Sequence, residues 1–263
     1  MPSVSRIKKR FDELRKRGEK AFIPYVMCGD PSLEKTGEMV LLLEEAGADA
    51  IELGVPFSDP LADGPVIQAA AARALAAGVS LRTAIDFVGK IRQKTALPLV
   101  LMTYYNPVFK YGVSSFAEDA ARAGVDGVIV PDLPVEEAAS LMESARRHAL
   151  DTIFLAAPTS GDARLRKVAR ASRGFIYFVS ITGITGARLA LSASGLSASV
   201  SKLREFSGGR PVAIGFGVST PEEAAMVAGL ADGVIVGSAI VKRAAEDAGS
   251  LPGYLKSLRA AIR

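Results

Sequence analysis

Short apolar or β-branched runs alternate with amphipathic helical stretches from one end of the chain to the other, and no linker-like segment interrupts the rhythm. Successive strands joined through helices run in the same direction, so they pair as a parallel sheet whose faces the helices cover. Candidate strands cover 21–27, 50–55, 99–104, 127–130, 152–156, 175–179, 211–214 and 233–236. Helical patterns lie between them, as at 33–46, 81–94, 135–149 and 221–228. Eight strand-and-helix units in 263 residues suit one closed barrel, a fold of about 250 residues. The expected fold class is therefore α/β, a (βα)8 TIM barrel that spans 1–263 as a single domain. An extra N-terminal amphipathic stretch, 4–17, places Ile7, Phe11 and Leu14 at helical spacing, as on a helix that covers the bottom of the barrel.

A doubly wound open sheet is the alternative architecture. It would carry spaced glycines after its first strand, whereas here that strand runs into Cys28-Gly29-Asp30-Pro31-Ser32. An internal echo favours the repeat. Ala46-Gly47-Ala48-Asp49-Ala50-Ile51, Ala123-Gly124-Val125-Asp126-Gly127-Val128 and Leu230-Ala231-Asp232-Gly233-Val234 each read as helix end, turn and strand start. Glycine can close a helix in the left-handed conformation, and aspartate can bond the backbone of a tight turn. These aspartates precede their strands, so they belong to the bottom face and to stability, not to chemistry.

Composition removes several function classes. Hydrophobic residues make up 49 % of the chain, which supplies a sizeable core and argues against disorder. The net charge of +4 is spread among acids without a basic stripe, so nucleic acid is not indicated; an anionic small substrate and an ordinary mixed surface both remain open. Cys28 is the only cysteine, which excludes an intrachain disulfide and a cysteine-based zinc site. The first residues lack the apolar run of a signal peptide and no long uncharged stretch could span a bilayer, so a cytoplasmic location is expected. His148, the only histidine, sits at a helix end, which disfavours a Ser-His-Asp triad or a multi-histidine metal site.

Barrel active sites use the C-terminal ends of strands and the loops that follow. Glu52 stands in Ala50-Ile51-Glu52-Leu53-Gly54-Val55, an apolar strand. A buried carboxylate either finds a basic partner or takes a raised pKa, so Glu52 is a catalytic group or a structural ion-pair member. The loop beyond it, Pro56-Phe57-Ser58-Asp59-Pro60-Leu61-Ala62-Asp63-Gly64-Pro65, is stiff, and its Asp63 either serves chemistry or caps the helix that starts near Pro65. Two carboxyls in different surroundings acquire different proton affinities and make a usable acid and base pair. At the other end of the chain, Gly215-Phe216-Gly217 and Gly237-Ser238 follow the seventh and eighth strands. Glycines and a helix start at these two places suit a phosphate, with simple turn chemistry as the alternative. The Ser-, Ala- and Gly-rich stretch 182–197 reads as a lid or as a plain surface loop.

The segment from Glu52 to Pro65 resembles the signature of tryptophan synthase α subunits. The likeness continues through Leu101-Met102-Thr103-Tyr104-Tyr105-Asn106-Pro107, Asp132-Leu133-Pro134, Tyr177, Thr182-Gly183-Ile184-Thr185-Gly186, Gly215-Phe216-Gly217 and Gly237-Ser238-Ala239-Ile240-Val241. It implies a lyase of tryptophan biosynthesis that splits indole-3-glycerol phosphate into indole and glyceraldehyde 3-phosphate by a retro-aldol step. Glu52 then matches the general acid and base, Asp63 the group that stabilises charge at the indole N–H, and Tyr177 a tyrosine beside the reacting carboxylate. Tyr25, Met102, Ile129 and Leu155 match the indole pocket, or equally plain barrel core, and Thr185 matches a lid residue closing on Asp63. Gly186, Phe216, Gly217, Gly237 and Ser238 match the phosphate contacts. The resemblance further implies a β subunit that carries pyridoxal phosphate, receives indole in an α2β2 heterotetramer, and meets this chain at Asp59, Pro60, Asn106 and Pro107. The chain itself would need no cofactor and no metal.

Two other readings compete. A phosphosugar isomerase, epimerase or Schiff-base aldolase could use the same barrel, although an aldolase of that kind needs an inward lysine and no candidate strand holds one. A non-catalytic sensor of a phosphorylated ligand is the second, disfavoured because both carboxylates are present.

Overall fold

The computed structural model describes residues 5–179, 193–215 and 217–263. In chain order the elements are α1 (Arg6–Arg17), β1 (Ala21–Met27), α2 (Leu33–Glu45), β2 (Ile51–Gly54), α3 (Pro65–Ala76), α4 (Leu81–Ile91), β3 (Leu99–Met102), α5 (Tyr105–Tyr111), α6 (Val113–Ala123), β4 (Gly127–Ile129), α7 (Ala139–Arg147), β5 (Asp151–Ile153), β6 (Leu155–Ala156), α8 (Asp162–Ala171), β7 (Ile176–Val179), α9 (Ala193–Ser207), β8 (Val212–Gly215), α10 (Pro221–Ala228), β9 (Gly233–Val236), α11 (Ser238–Glu246) and α12 (Leu251–Ile262). All strand pairings are parallel. The sheet order is β5-β4-β3-β2-β1-β9-β8-β7-β6.

The two outermost members of that order, β5 and β6, are separated in sequence by Phe154 alone. They are one strand with a one-residue break, so the sheet meets itself and closes. Hydrogen bonds span the break: Arg173 N donates to Thr152 O at 2.8 Å, and Tyr177 N donates to Phe154 O at 3.1 Å. Counted that way the barrel has the eight strands expected, and the run at 152–156 is the interrupted one. Helices surround the ring, which is the (βα)8 TIM barrel architecture. The helix expected at 135–149 begins only at Ala139, because Pro134 starts a turn in which Glu137 N donates to Pro134 O at 2.9 Å. No helix among the described residues is long and apolar enough to cross a membrane.

Helix α1 covers the bottom, as its pattern predicts. Ser5 caps it by accepting from Lys8 N, and Gly18 ends it in the left-handed conformation at φ 71°. Its Ile7, Phe11 and Leu14 are buried in one cluster with the inward residues Ile23, Val100, Ile129, Ile153 and Phe175. The Phe11 and Phe175 rings lie 5.8 Å apart. Burying those three side chains contributes roughly 1.5–3 kcal/mol each.

The three echoed aspartates all do the same work. Each lies one or two residues before a strand, and each exchanges two bonds with the neighbouring strand. Asp49 N donates to Phe22 O while its carboxylate accepts from Phe22 N at 2.8 Å. Asp126 does so with Leu99 and Asp232 with Val212, both carboxylates accepting at 2.9 Å. Arginines complete them: Arg10 and Arg259 at Asp49, Arg6 and Arg92 at Asp126, Arg204 at Asp232. Asp126→Ala is expected to lower unfolding free energy by about 3 kcal/mol, because it strips a buried pair of its acid and leaves Leu99 N without its acceptor. Denaturant melting checks this, and catalytic constants should stay near wild type because the change lies on the face opposite the candidate site.

Candidate active site

Glu52 and Tyr25 are register partners on β2 and β1. Glu52 is fully buried, and among the described residues neither of its carboxyl oxygens has a hydrogen-bond partner. Burial alone pushes its pKa from 4.5 to about 8. The structural ion pair left open by the sequence is therefore not what holds Glu52. Its carboxyl is instead a neutral acid at pH 7, lodged in an apolar barrel.

Tyr25 lies over Gly54, two residues beyond Glu52 on the same strand. A Cβ placed on Gly54 would stand 1.9 Å from the Tyr25 hydroxyl, so only glycine leaves room for the phenol there. The Tyr25 pKa is raised well above its ordinary value, first by burial and then by the charges of Asp63 and Glu52, which places both acids around one phenol. Tyr177, on β7, is likewise raised by burial and next by Glu52 and Tyr25. Its hydroxyl would be 2.5 Å from a Cβ on Gly215, the last residue of β8. Glu52, Tyr25 and Tyr177 thus converge inside the barrel towards the ends of β2 and β8.

Asp63 stands at the rim, in the loop between β2 and α3. Burial raises its pKa, and a hydrogen bond from Tyr104 pulls it down. The Tyr104 hydroxyl donates to Asp63 Oδ2 at 3.0 Å and accepts from Ala62 N at 3.0 Å. Gly64, not Asp63, is the N-cap of α3, and no side chain caps that helix. The capping reading of Asp63 is thereby set aside. Tyr104 was not singled out from the sequence as a site residue; the available signal was its place at the end of the third strand, beside the loop of the second. Phe57 packs on it with ring centroids 5.2 Å apart.

Of the four expected pocket residues, Tyr25 is buried, Met102 at the end of β3 and Leu155 at the start of β6 are partly open, and Ile129 is fully buried in the barrel interior. Gly237 is the N-cap of α11 and packs 3.4 Å from Tyr25 Cβ when given a Cβ of its own; Ser238 opens the helix. Gly217 is exposed with φ 75°, the left-handed region that suits glycine. Thr185, Gly186 and Phe216 lie outside the described residues, as does most of the stretch 182–197. Asp59 and Asn106 are exposed, with Pro60 and Pro107 half-buried. Leu61, 88 % exposed, and Phe109, 66 % exposed, flank them on the loop and on α5. His148 ends α7, as expected. Cys28 is a free, buried thiol whose pKa burial pushes up to about 12, which makes it inert. No cluster of three potential metal ligands occurs among the described residues.

A family model described as tryptophan synthase alpha chain matches residues 11–261. The chain belongs to the tryptophan synthase alpha chain family. It is accordingly a lyase of tryptophan biosynthesis. The alpha chain of Geobacter sulfurreducens is 51 % identical over 98 % of this chain and 99 % of its own length. That of Methanosarcina barkeri is 53 % identical over 90 % and 88 % respectively. Among solved structures, tryptophan synthase of Mycobacterium tuberculosis aligns with TM-score 0.92 at 40 % identity, covering 99 % of both chains. The alpha subunit of Legionella pneumophila aligns with TM-score 0.90 at 37 % identity, also over 99 % of both.

The buried acid of this alpha chain makes its stability pH-dependent. The folded pKa of about 8 lies above the ordinary 4.5, so the folded form holds its proton longer than the unfolded form does. The stability Glu52 allows is complete below about pH 4.5 and is lost as pH rises through about 8. Glu52→Gln removes the ionisation. It is expected to match wild type near pH 5 and to exceed it by on the order of 3–5 kcal/mol at pH 9 in denaturant melts; parallel pH curves for the two proteins would contradict this.

Proposed function

We propose that the chain works as the α subunit of tryptophan synthase through the residues just described, one (βα)8 domain over 1–263 acting by a retro-aldol cleavage of indole-3-glycerol phosphate. The observation that carries this reading is the Glu52 carboxyl, without a hydrogen-bond partner among the described residues, its pKa raised to about 8 inside an apolar chamber and close to a second acid. Protonated Glu52 gives its proton to indole C3; the ring's C2–C3 electron pair forms the new C–H bond, and positive charge settles on the ring nitrogen. Asp63 accepts a hydrogen bond from the indole N–H and stabilises that charge electrostatically. Glu52, now a carboxylate, takes the proton of the hydroxyl on the carbon attached to C3. That O–H pair becomes the carbonyl bond of glyceraldehyde 3-phosphate, the carbon–carbon bond breaks, and its electrons restore the indole ring. Every proton lent is returned, so the step balances without a redox partner, and this chain uses no cofactor.

Tyr177 stands beside the reacting carboxyl, while Tyr25, Met102, Ile129 and Leu155 form the apolar walls and floor of the indole pocket. Thr185 closes on Asp63 from the lid. The backbone amides of Gly186, Phe216, Gly217, Gly237 and Ser238 hold the phosphate, with the start of α11 aimed at its negative charge. A β subunit bearing pyridoxal phosphate docks on Asp59, Pro60, Asn106 and Pro107 in an α2β2 heterotetramer of the cytoplasm. The exposed Leu61 and Phe109 support that surface, since apolar side chains so open to water suit a partner.

An indole-release assay on the purified chain, with and without β subunit, tests the reading. Glu52→Gln is expected to reduce turnover about 10³-fold with the fold intact, and near-normal turnover would reject the proton shuttle. Asp63→Asn should lower kcat about 100-fold with little change in KM; an effect on KM alone would contradict charge stabilisation. Wild-type kcat/KM should fall as pH rises through about 8, where free Glu52 loses its proton.

A further inference from the structure

Asp63 sits on a surface loop, yet the charge-stabilising role proposed above requires its carboxylate to be ionised and aimed inward. Loops are mobile and a side chain on one has many rotamers to lose. Among the described residues, one group bonds the Asp63 carboxylate. The Tyr104 hydroxyl donates to Asp63 Oδ2 at 3.0 Å and accepts from the Ala62 amide at 3.0 Å, so one oxygen ties the loop's backbone and its carboxylate together. The tyrosine is itself held. It is 5 % exposed, stands at the N-cap of α5 two residues after the end of β3, and its ring packs against Phe57 at the start of the same loop. Its neighbour Tyr105 donates its backbone N–H to Asp132 at 2.9 Å, which anchors the turn from the β4 side. On the far side of Asp63, Gln68 Nε2 donates to the Asp63 carbonyl at 2.8 Å, so backbone and side chain are fixed from opposite directions.

We propose that Tyr104 is a positioning residue for this reaction: its hydroxyl, shared between the Ala62 amide and the Asp63 carboxylate, holds that carboxylate at the barrel mouth ready for the substrate's ring N–H. The proposal rests on the reading of Asp63 given above. A phenol is suited to the task, because it donates to the ionised carboxylate and its own proton is retained: burial and the Asp63 charge raise its pKa. Among the described residues, the titratable groups facing Asp63 are Tyr104, which follows β3, and Tyr25 from β1, with Glu52 of β2 beyond Tyr25 and Asp132 beyond Tyr104. Of these, the only one that lowers the proton affinity of Asp63 is Tyr104, against the raising effect of burial. Without its hydrogen bond the Asp63 carboxyl would take up a proton at higher pH and lose the fixed orientation together.

Tyr104→Phe keeps the ring on Phe57 and deletes only the bridge. The first measurement needs no substrate: the Asp63 carboxyl carbon, observed by NMR in protein with labelled aspartate and assigned with Asp63→Asn, should titrate roughly one unit higher in Tyr104→Phe than in wild type. In the indole-release assay, kcat should fall about tenfold while KM changes less than about twofold, and the acidic limb of the pH profile should move upward with the Asp63 titration. An unmoved Asp63 titration overturns the proposal whatever the assay gives. A moved titration with unchanged kcat and limb overturns instead the catalytic part of Asp63's role. If Tyr104→Phe fails to fold by circular dichroism, 3-fluorotyrosine placed at position 104, a more acidic donor, should move the Asp63 titration downward, and no movement overturns the proposal equally well.

Discussion

Closure of the parallel sheet at Phe154 is the constraint on which the remaining features rest. A parallel ring with no free edge satisfies its backbone groups internally and leaves its inner surface to side chains alone. That inner surface is almost wholly apolar here: Ile23, Val100, Ile129, Ile153, Phe175 and Ala213 fill it from below, with α1 as the floor. An acid buried among such neighbours, with no hydrogen-bond partner among the described residues, is favoured in its neutral state. The chemistry proposed for this chain follows from dryness produced by packing, not from any special partner of the carboxyl.

The two ends of the barrel treat acids in opposite ways. At the bottom, Asp49, Asp126 and Asp232 are saturated by backbone amides and arginines, and they serve to register adjacent strands. At the top, Glu52 is unpaired and Asp63 is held by a phenol, with no lysine or arginine bonded to either among the described residues. Pairing an acid with arginine stabilises the charged form and ends its usefulness as a proton donor at neutral pH. Keeping cations away from Glu52 is thus as much a part of the site as the residues that form it.

The strand ends also explain why glycines recur near the chamber. Gly54 gives its side-chain space to the Tyr25 phenol and Gly215 gives its own to the Tyr177 hydroxyl. Both tyrosines can then lie along the interior instead of across the mouth. The loop that carries Leu61 and the helix α5 that carries Phe109 meet at Tyr104, so the outer surface and the inner acid share one side chain.

Much of this was legible in the sequence because it depends on local pattern. The period of apolar runs revealed eight strands and their helices, α1 showed its buried face through Ile7, Phe11 and Leu14, and the repeated aspartates before strands could be assigned to the bottom from their position alone. The motif around Glu52 to Pro65 pointed to the family on which the comparisons agree. What the sequence left open were contacts between elements distant along the chain. Whether Glu52 had a cation, whether Asp63 capped α3, and that Tyr104 reaches back forty-one positions to hold it were matters for the tertiary structure. Burial and pairing are properties of the surroundings that the ring assembles, and a single strand's residues do not encode which neighbours the closed barrel will bring against them.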